Sequence, residues 1–452
     1  MSTRNRILAA LSNESLQEDP NAAAAAAGGE TTAVEAPIEA PAEVEQPLME
    51  VAEAEGEADQ ALAAADEATE VVEALESLQD LLEGHQEDGL NPQAAEIAQF
   101  AVEQLYKRVG LSNGHGLPSL ESFSGHSNRV RATQLSQEAI GQKIKEFWAA
   151  IVQMLIKAKE AVFNFIKKIF DAHYRVSERA KSLAGKVDGL TGTPKDGEID
   201  LGSLAQKVAI GDKVATPLHS AITAVQDVLK DVLSFGEAET KSLTESYEAV
   251  KAAVEGGSAG DSKVYGGFEL AASKAFKNAV NGREGVKATD VLPGNVKFFL
   301  GTEKSKLGNL LVNYAVSGKI KDSAKAGNTK IKVLSKEEIK QAISAIELLL
   351  QQAKAVSDAA SKEVERSKKT FASIKVGDEA KIKDQVVLRS LMRAFQKQEA
   401  EQGKAAGRVA SYAVELSNDV LNVLQKCMVA YDRGNADAGA KQIGQDKKED
   451  KK

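Results

Sequence analysis

The sequence predicts a mainly α protein. The expected architecture is a long antiparallel helical bundle with a small β hairpin or sheet insertion, preceded by a largely disordered acidic N-terminal segment. Three observations predict it. Ala, Lys, Glu, Leu and Val dominate the 452 residues, which favours helix. Apolar residues recur at three- and four-residue steps over very long stretches. Only two short runs have the composition and turn boundaries of strands.

Residues 13–60 are expected to be disordered. NAAAAAAGGE, EAPIEAPAEVEQP and EVAEAEGEADQ hold almost no large apolar side chains, so they bury too little to offset their ordering entropy. From about residue 61 a helix is expected, its stripe being Leu62, Val71, Val72, Leu75, Leu78, Leu81 and Leu82. Asn91-Pro92 reads as an N-cap with proline in the first turn of a second helix. That helix should end near Lys107-Arg108, with Gly110 just beyond. The loop GHGLPSLESFSGHSN follows, at residues 114–128.

Residues 133–189 give the clearest helix. Ile140, Ile144, Phe147, Ile151, Leu155, Val162, Ile166 and Phe170 fall on one face, and Trp148, Val152, Ile156 and Phe163 widen it. Lys143, Lys145, Lys157, Lys159, Lys167, Lys168, Arg175 and Arg179 occupy much of the remainder. Leu218 to Val254 repeats the spacing, and a short helix is expected near 268–280. Strands are expected near 296–300 and 330–334, preceded by Pro293-Gly294 and Gly327-Asn328. Ser335-Lys336-Glu337-Glu338 reads as a capping box opening the next helix. A last helix should run from about 378 to 432, before a polar tail. Three regions follow: an acidic segment 1–121, disordered then partly helical; a basic amphipathic helix in 122–191; and a helical body in 192–452.

No catalytic constellation is visible, and the chain is not expected to be an enzyme. His85, His115, His126, His173 and His219 are scattered without metal spacing, and no Walker loop or nucleophile elbow occurs. Cys427, the single cysteine, excludes an internal disulfide and sits beside Met428 on an apolar helix face, where a packed thiol is expected. No cofactor or metal is implied. No apolar run reaches the roughly 18 uncharged residues of a spanning helix, so a soluble chain is expected.

Charge divides sharply. Residues 1–121 hold 25 acidic and 4 basic residues, net −21, whereas residues 122–452 hold 41 acidic and 53 basic, net +12, giving −9 overall. Such asymmetry points to a polyanion partner or a detachable tail. One reading is an acidic tail that only solubilises an ordinary basic domain. The other is a tail whose removal frees a basic body to contact duplex DNA through its phosphates, without base specificity. The amphipathic helix either packs in the bundle or makes transient membrane contact.

The residues from Ser119 onward carry a resemblance. Ser119-Leu120-Glu121, then Ser122 and SFSGHSNRVRATQ, lead into EAIGQKIKEFWAAIVQMLIKAKEAVFNFIKKIFDAHYRVSERAKSL. This arrangement resembles the internal head proteins of giant phiKZ-like tailed bacteriophages, over about 119–185 and more loosely beyond. The resemblance implies an acidic propeptide that directs the protein into the prohead and is cut after Glu121 by the prohead protease. It also implies a structural virion protein inside the phage head, in the host cytoplasm before assembly. Its mature body would lie beside packaged DNA, with capsid or other inner-head proteins as neighbours, and ejection with the DNA is a further implication. Glu35, Glu76, Glu96 and Glu103 also end small-x-Glu tripeptides and are secondary cleavage candidates. Glu347 and Glu415 fit too, but fall where helix should shield them. The alternatives are a membrane-interacting ejection protein and an uncleaved cytoplasmic helical scaffold.

Overall fold

The computed structural model describes residues 42–108, 117–192, 194, 197–255, 264–265, 273–307, 310–372 and 382–449. The described residues form two compact units, residues 56–161, and residues 42–55 with 162–449.

The first unit is helical. It contains α1 (Ala42–Gly84) from Gly56 onward, α2 (Pro92–Arg108), a 3-10 turn (Leu120–Phe123), and α3 (His126–Val187) as far as Ala161. Its core joins Val71, Val72, Leu75 and Leu82 of α1 to Val102 and Tyr106 of α2, to Phe123, and to Ile140, Ile144, Phe147, Ile151 and Leu155 of α3. The predicted stripes are therefore largely the buried faces, but Leu81 of α1 and Ile156 of α3, both named in them, are exposed because they fall at the edges of those faces. Asn91 caps α2 as expected: its Oδ1 accepts the Ala94 amide at 2.8 Å, with Pro92 in the first turn. Gly89 has φ +69°, and a Cβ there would stand 2.6 Å from the Arg129 and Val130 backbone. Only glycine permits both the turn and that close approach.

The start of the first helix needs correction. α1 begins at Ala42 rather than near 61, so residues 42–60 are helical despite Pro47. Its seam there is Val44, Val51, Ala54 and Ala58, all buried. Alanine buries little surface but has the highest helix propensity and admits close packing, and that offsets the hydrogen bond lost at Pro47. Residues 13–41 lie outside the described residues.

The second unit holds α1 up to Glu55 and α3 from Val162. After α3 come β1 (Glu198–Asp200), α4 (Leu204–Val208), β2 (Ala209–Ile210), β3 (Lys213–Val214) and α5 (Leu218–Glu255). Next are β4 (Val264–Tyr265), β5 (Asn278–Val280), β6 (Arg283–Ala288), β7 (Val296–Leu307), β8 (Leu310–Lys321) and β9 (Lys330–Lys332). The chain closes with α6 (Lys336–Ala372) and α7 (Ile382–Glu449). Helices α5, α6 and α7 pack together, and α7 also packs on β8. Five strands form one sheet in the order β4-β8-β7-β6-β5, antiparallel except for β4 with β8.

The predicted strand at 296–300 extends to Leu307 and pairs with β8, register Val296↔Lys321, a strand the sequence pattern did not single out. The run near 330–334 contributes β9, which pairs with β1, not with β7. The short helix expected near 268–280 is absent from its described part. Asn278–Val280 is a strand, and the Ala275 and Phe276 amides are satisfied by Asp231 Oδ2 (2.8 Å) and Ser273 Oγ (2.7 Å) instead of a helical ladder. The capping box forms as predicted: Ser335 Oγ accepts the Glu338 amide, while Glu338 Oε2 accepts the Ser335 amide at 2.7 Å. The last helix continues to Glu449, through the residues expected to be a polar tail.

Close packing places α3 directly on α7 in this unit. A Cβ on Gly407 would stand 2.5 Å from the Phe165 ring. Asn295, at φ 58°, ties the sheet to the β2–β3 turn: its Nδ2 donates to the Gly211 and Ala324 carbonyls at 3.0 Å, and its Oδ1 accepts the Gly211 amide. Tyr412 of α7 donates to the Pro293 carbonyl at 2.8 Å and meets Phe298 edge-on at 5.4 Å.

Candidate processing junction and basic helix

The tripeptide Ser119-Leu120-Glu121 opens a single 3-10 turn immediately before α3. Ser119 is extended (φ −63°, ψ 154°), and its carbonyl accepts the Ser122 amide at 2.9 Å. Ser119, Leu120 and Glu121 are exposed and Ser122 is half-buried. The Glu121 carbonyl accepts from Ser124 twice, from Oγ at 2.8 Å and from the amide at 3.2 Å. Two residues beyond the Glu121–Ser122 bond, Phe123 is 1% exposed and belongs to the core of the first unit. Access and restraint therefore coexist. The Glu121 side chain is open to a recognition pocket, but its peptide bond is folded into a turn pinned by a buried aromatic ring. A protease that reads an extended strand must open that turn first.

The secondary small-x-Glu positions are all in helix where described. Glu76 is buried in α1, Glu96 is exposed on α2, and Glu103 is half-buried with Lys107 at 4.0 Å. Glu35 lies outside the described residues. Glu347 and Glu415 lie within α6 and α7, as expected.

The eight basic positions of α3 divide by environment. Lys157, Lys167 and Arg175 are exposed, and Lys167 lies 4.6 Å over the Phe163 ring. Lys143 and Lys159 already have interaction partners, and Lys159 is buried. The side chain of Lys145 lies outside the described residues. Lys168 meets Glu50 of α1 at 2.6 Å, and this pairing holds the Glu50 carboxyl below its ordinary range and raises the Lys168 ammonium. Arg179 is buried and donates to Asn418 Oδ1 (2.5 Å), Asn422 Oδ1 (2.7 Å) and Gln425 Oε1 (2.7 Å) of α7. Its guanidinium is thus a structural clamp between α3 and α7, a role that sequence spacing cannot distinguish from an exposed charge.

The second unit also contains a feature the sequence reading missed. A cleft of about 430 Å³ lies between acidic-segment residues Glu45, Met49 and Ala52 and body residues Lys207, Lys319, Tyr412 and Asp419. Nearby, Arg408 Nε reaches Glu55 Oε1 at 2.9 Å. The acidic segment is seated on the body here, which net charge alone could not locate. Among the described residues no cluster of His, Cys, Asp or Glu could hold a metal, and no helix is long and apolar enough to cross a membrane. Burial pushes the Cys427 thiol up to about 11.

A comparison with curated proteins and with solved structures finds no match for the chain. A family model, that of the phiKZ-like phage internal head proteins, matches residues 39–433. The match begins just before α1, so the family pattern includes the acidic helices as well as the basic body, a wider span than the resemblance seen around residues 119–185. With nearly the whole described chain inside that match, the protein belongs to the phiKZ-like phage internal head proteins, structural components of the interior of the phage head.

Proposed function

We propose that residues 1–121 are a leader removed after Glu121 by the prohead protease, and that residues 122–452 remain in the head against packaged duplex DNA. The observation that carries this reading is the position of Glu121. It is exposed on a single turn, at the point where the chain changes from net −21 to net +12. The ion pair from Glu50 to Lys168 supports it, because loss of the leader would release a cation of the body. Non-specific duplex contact would come from exposed cations such as Lys167 and Arg175, by counterion release. Other inner-head or capsid proteins are further neighbours on this reading.

N-terminal sequencing and intact-mass measurement of the protein from purified particles test the cut. A start at Ser122 is expected, and a uniform start at Met1 or Ser2 refutes it. Duplex binding is tested on particle-derived protein against the full chain. The processed form should bind more tightly, with affinity falling steeply as salt rises, and equal binding by both forms refutes screening by the leader.

A further inference from the structure

Within the first unit, everything C-terminal to Glu121 is one turn and one helix, α3 as far as Ala161. The elements that bury its apolar seam, α1 from Gly56 onward and α2, both precede Glu121. The contact is a packed core. Val71, Val72 and Leu75 of α1 are fully buried against the cluster holding Ile140, Ile144 and Ile151. Tyr106 stacks on Phe147 with ring centroids 5.6 Å apart. At its edge the Leu90 amide donates to the buried Thr133 hydroxyl at 2.9 Å. In the second unit Val44 and Val51 are likewise buried, and Glu50 and Glu55 reach Lys168 and Arg408. An apolar centre with ion pairs at its margin has the composition of a permanent subunit interface.

We infer that cutting the Glu121–Ser122 bond nicks this protein without releasing the leader. The severed leader remains a non-covalent subunit whose docking surface is the apolar seam of α3, Ile140 to Leu155. Hydrolysis of one peptide bond removes only the tether that kept the leader at high effective concentration. The buried contacts on either side of the bond are unchanged. The removal proposed above therefore takes two steps, the cut at Glu121 and a further cut inside α1 or α2, and until the second the seam stays covered. This inference rests on the proposed processing, but its test does not.

A recognition sequence for a site-specific viral protease is inserted after Gly114 of the full chain. The product is cut to completion and run on size-exclusion chromatography with mass spectrometry of each peak. The runs use about 0.15 M and about 1 M NaCl, between which the screening length falls from about 8 to about 3 Å. Both fragments should co-elute at the uncut position in both salts and separate only in denaturant. A leader that elutes separately at the lower salt overturns the inference. So does one that leaves only at the higher salt, because ion pairs rather than the seam would then be holding it. In the cut chain carrying Leu75→Ala, the leader should dissociate roughly 30-fold faster or more, from the loss of one fully buried leucine. An unchanged rate would also sink the idea. Uncut chains in particles would refute processing but leave this result standing, and the reverse also holds.

Discussion

Glu239→Gln should make the second unit less sensitive to pH and more stable near neutrality. Glu239, on α5, has no exposed surface, and among the described residues neither carboxylate oxygen has a hydrogen-bond partner. Burial pushes its carboxyl from 4.5 up to about 8. Gln398 of α7 opposes this without forming a well-shaped hydrogen bond, and the charges of Glu399, Glu401 and Glu363 push it further. The folded form therefore holds a proton that the unfolded chain gives up near 4.5. Stability from this group is complete below about 4.5, declines as pH rises, and is spent once pH passes about 8. At about 1.4 kcal/mol per pH unit, the wild type should lose roughly 3–4 kcal/mol relative to Glu239→Gln between pH 5 and pH 8. The amide cannot ionise and has nearly the shape of the acid, so other titrating groups cancel in the difference. Urea unfolding of both full-length chains across that range, read at the transition of the helical body, gives the measurement. Parallel stability profiles would refute the argument, because the carboxylate would then be charged and compensated in the fold.

Two further outcomes follow from packing at the junction and between α3 and α7. Phe123→Ala removes the ring that pins the turn, a deletion worth about 3–5 kcal/mol in a core. Where turn opening precedes cleavage, cutting after Glu121 should accelerate by about 100-fold or more, read as the appearance of a Ser122 N-terminus during limited digestion with a Glu-specific protease. An unchanged rate would mean the turn does not guard the bond. Arg179→Met strands three amide oxygens, on Asn418, Asn422 and Gln425, and should cost about 3 kcal/mol of stability. The salt slope of duplex binding should not change, and a shallower slope would show that Arg179 touches phosphate.

Much of this fold was legible because large apolar side chains recur at helical spacing. Ile140, Ile144, Phe147, Ile151, Leu155, Val162 and Ile166 are buried as the stripe of α3 requires. The caps at Asn91 and Ser335 were legible because a side-chain oxygen satisfies a nearby amide through local geometry alone. What escaped depends on neighbours. The start of α1 is an alanine and valine seam whose hydropathy matches that of a disordered tail, and only packing against other elements distinguishes the two. β8, LLVNYAVSGKIK, interrupts its alternation with Gly318, and that glycine accommodates the Phe299 ring of β7. Sequence could mark Glu121 only as a candidate, by its context, and could not show the ring of Phe123 folded into a core just beyond it.

Charge and packing answer different questions about the acidic segment. Net charge shows which kind of surface the body offers once uncovered, and it predicts that salt weakens duplex binding. It does not decide whether the segment stays or leaves. Of the described ion pairs to the body, Glu50–Lys168 is solvent-accessible and worth little on its own, whereas Glu55–Arg408 is largely buried and costly to break by removing one partner. The larger hold comes from fully buried side chains such as Val71, Val72 and Leu75, whose burial is insensitive to screening. A leader fastened by its core stays bound as salt rises. A leader fastened by exposed charge would loosen, so the salt dependence of its release separates the two designs.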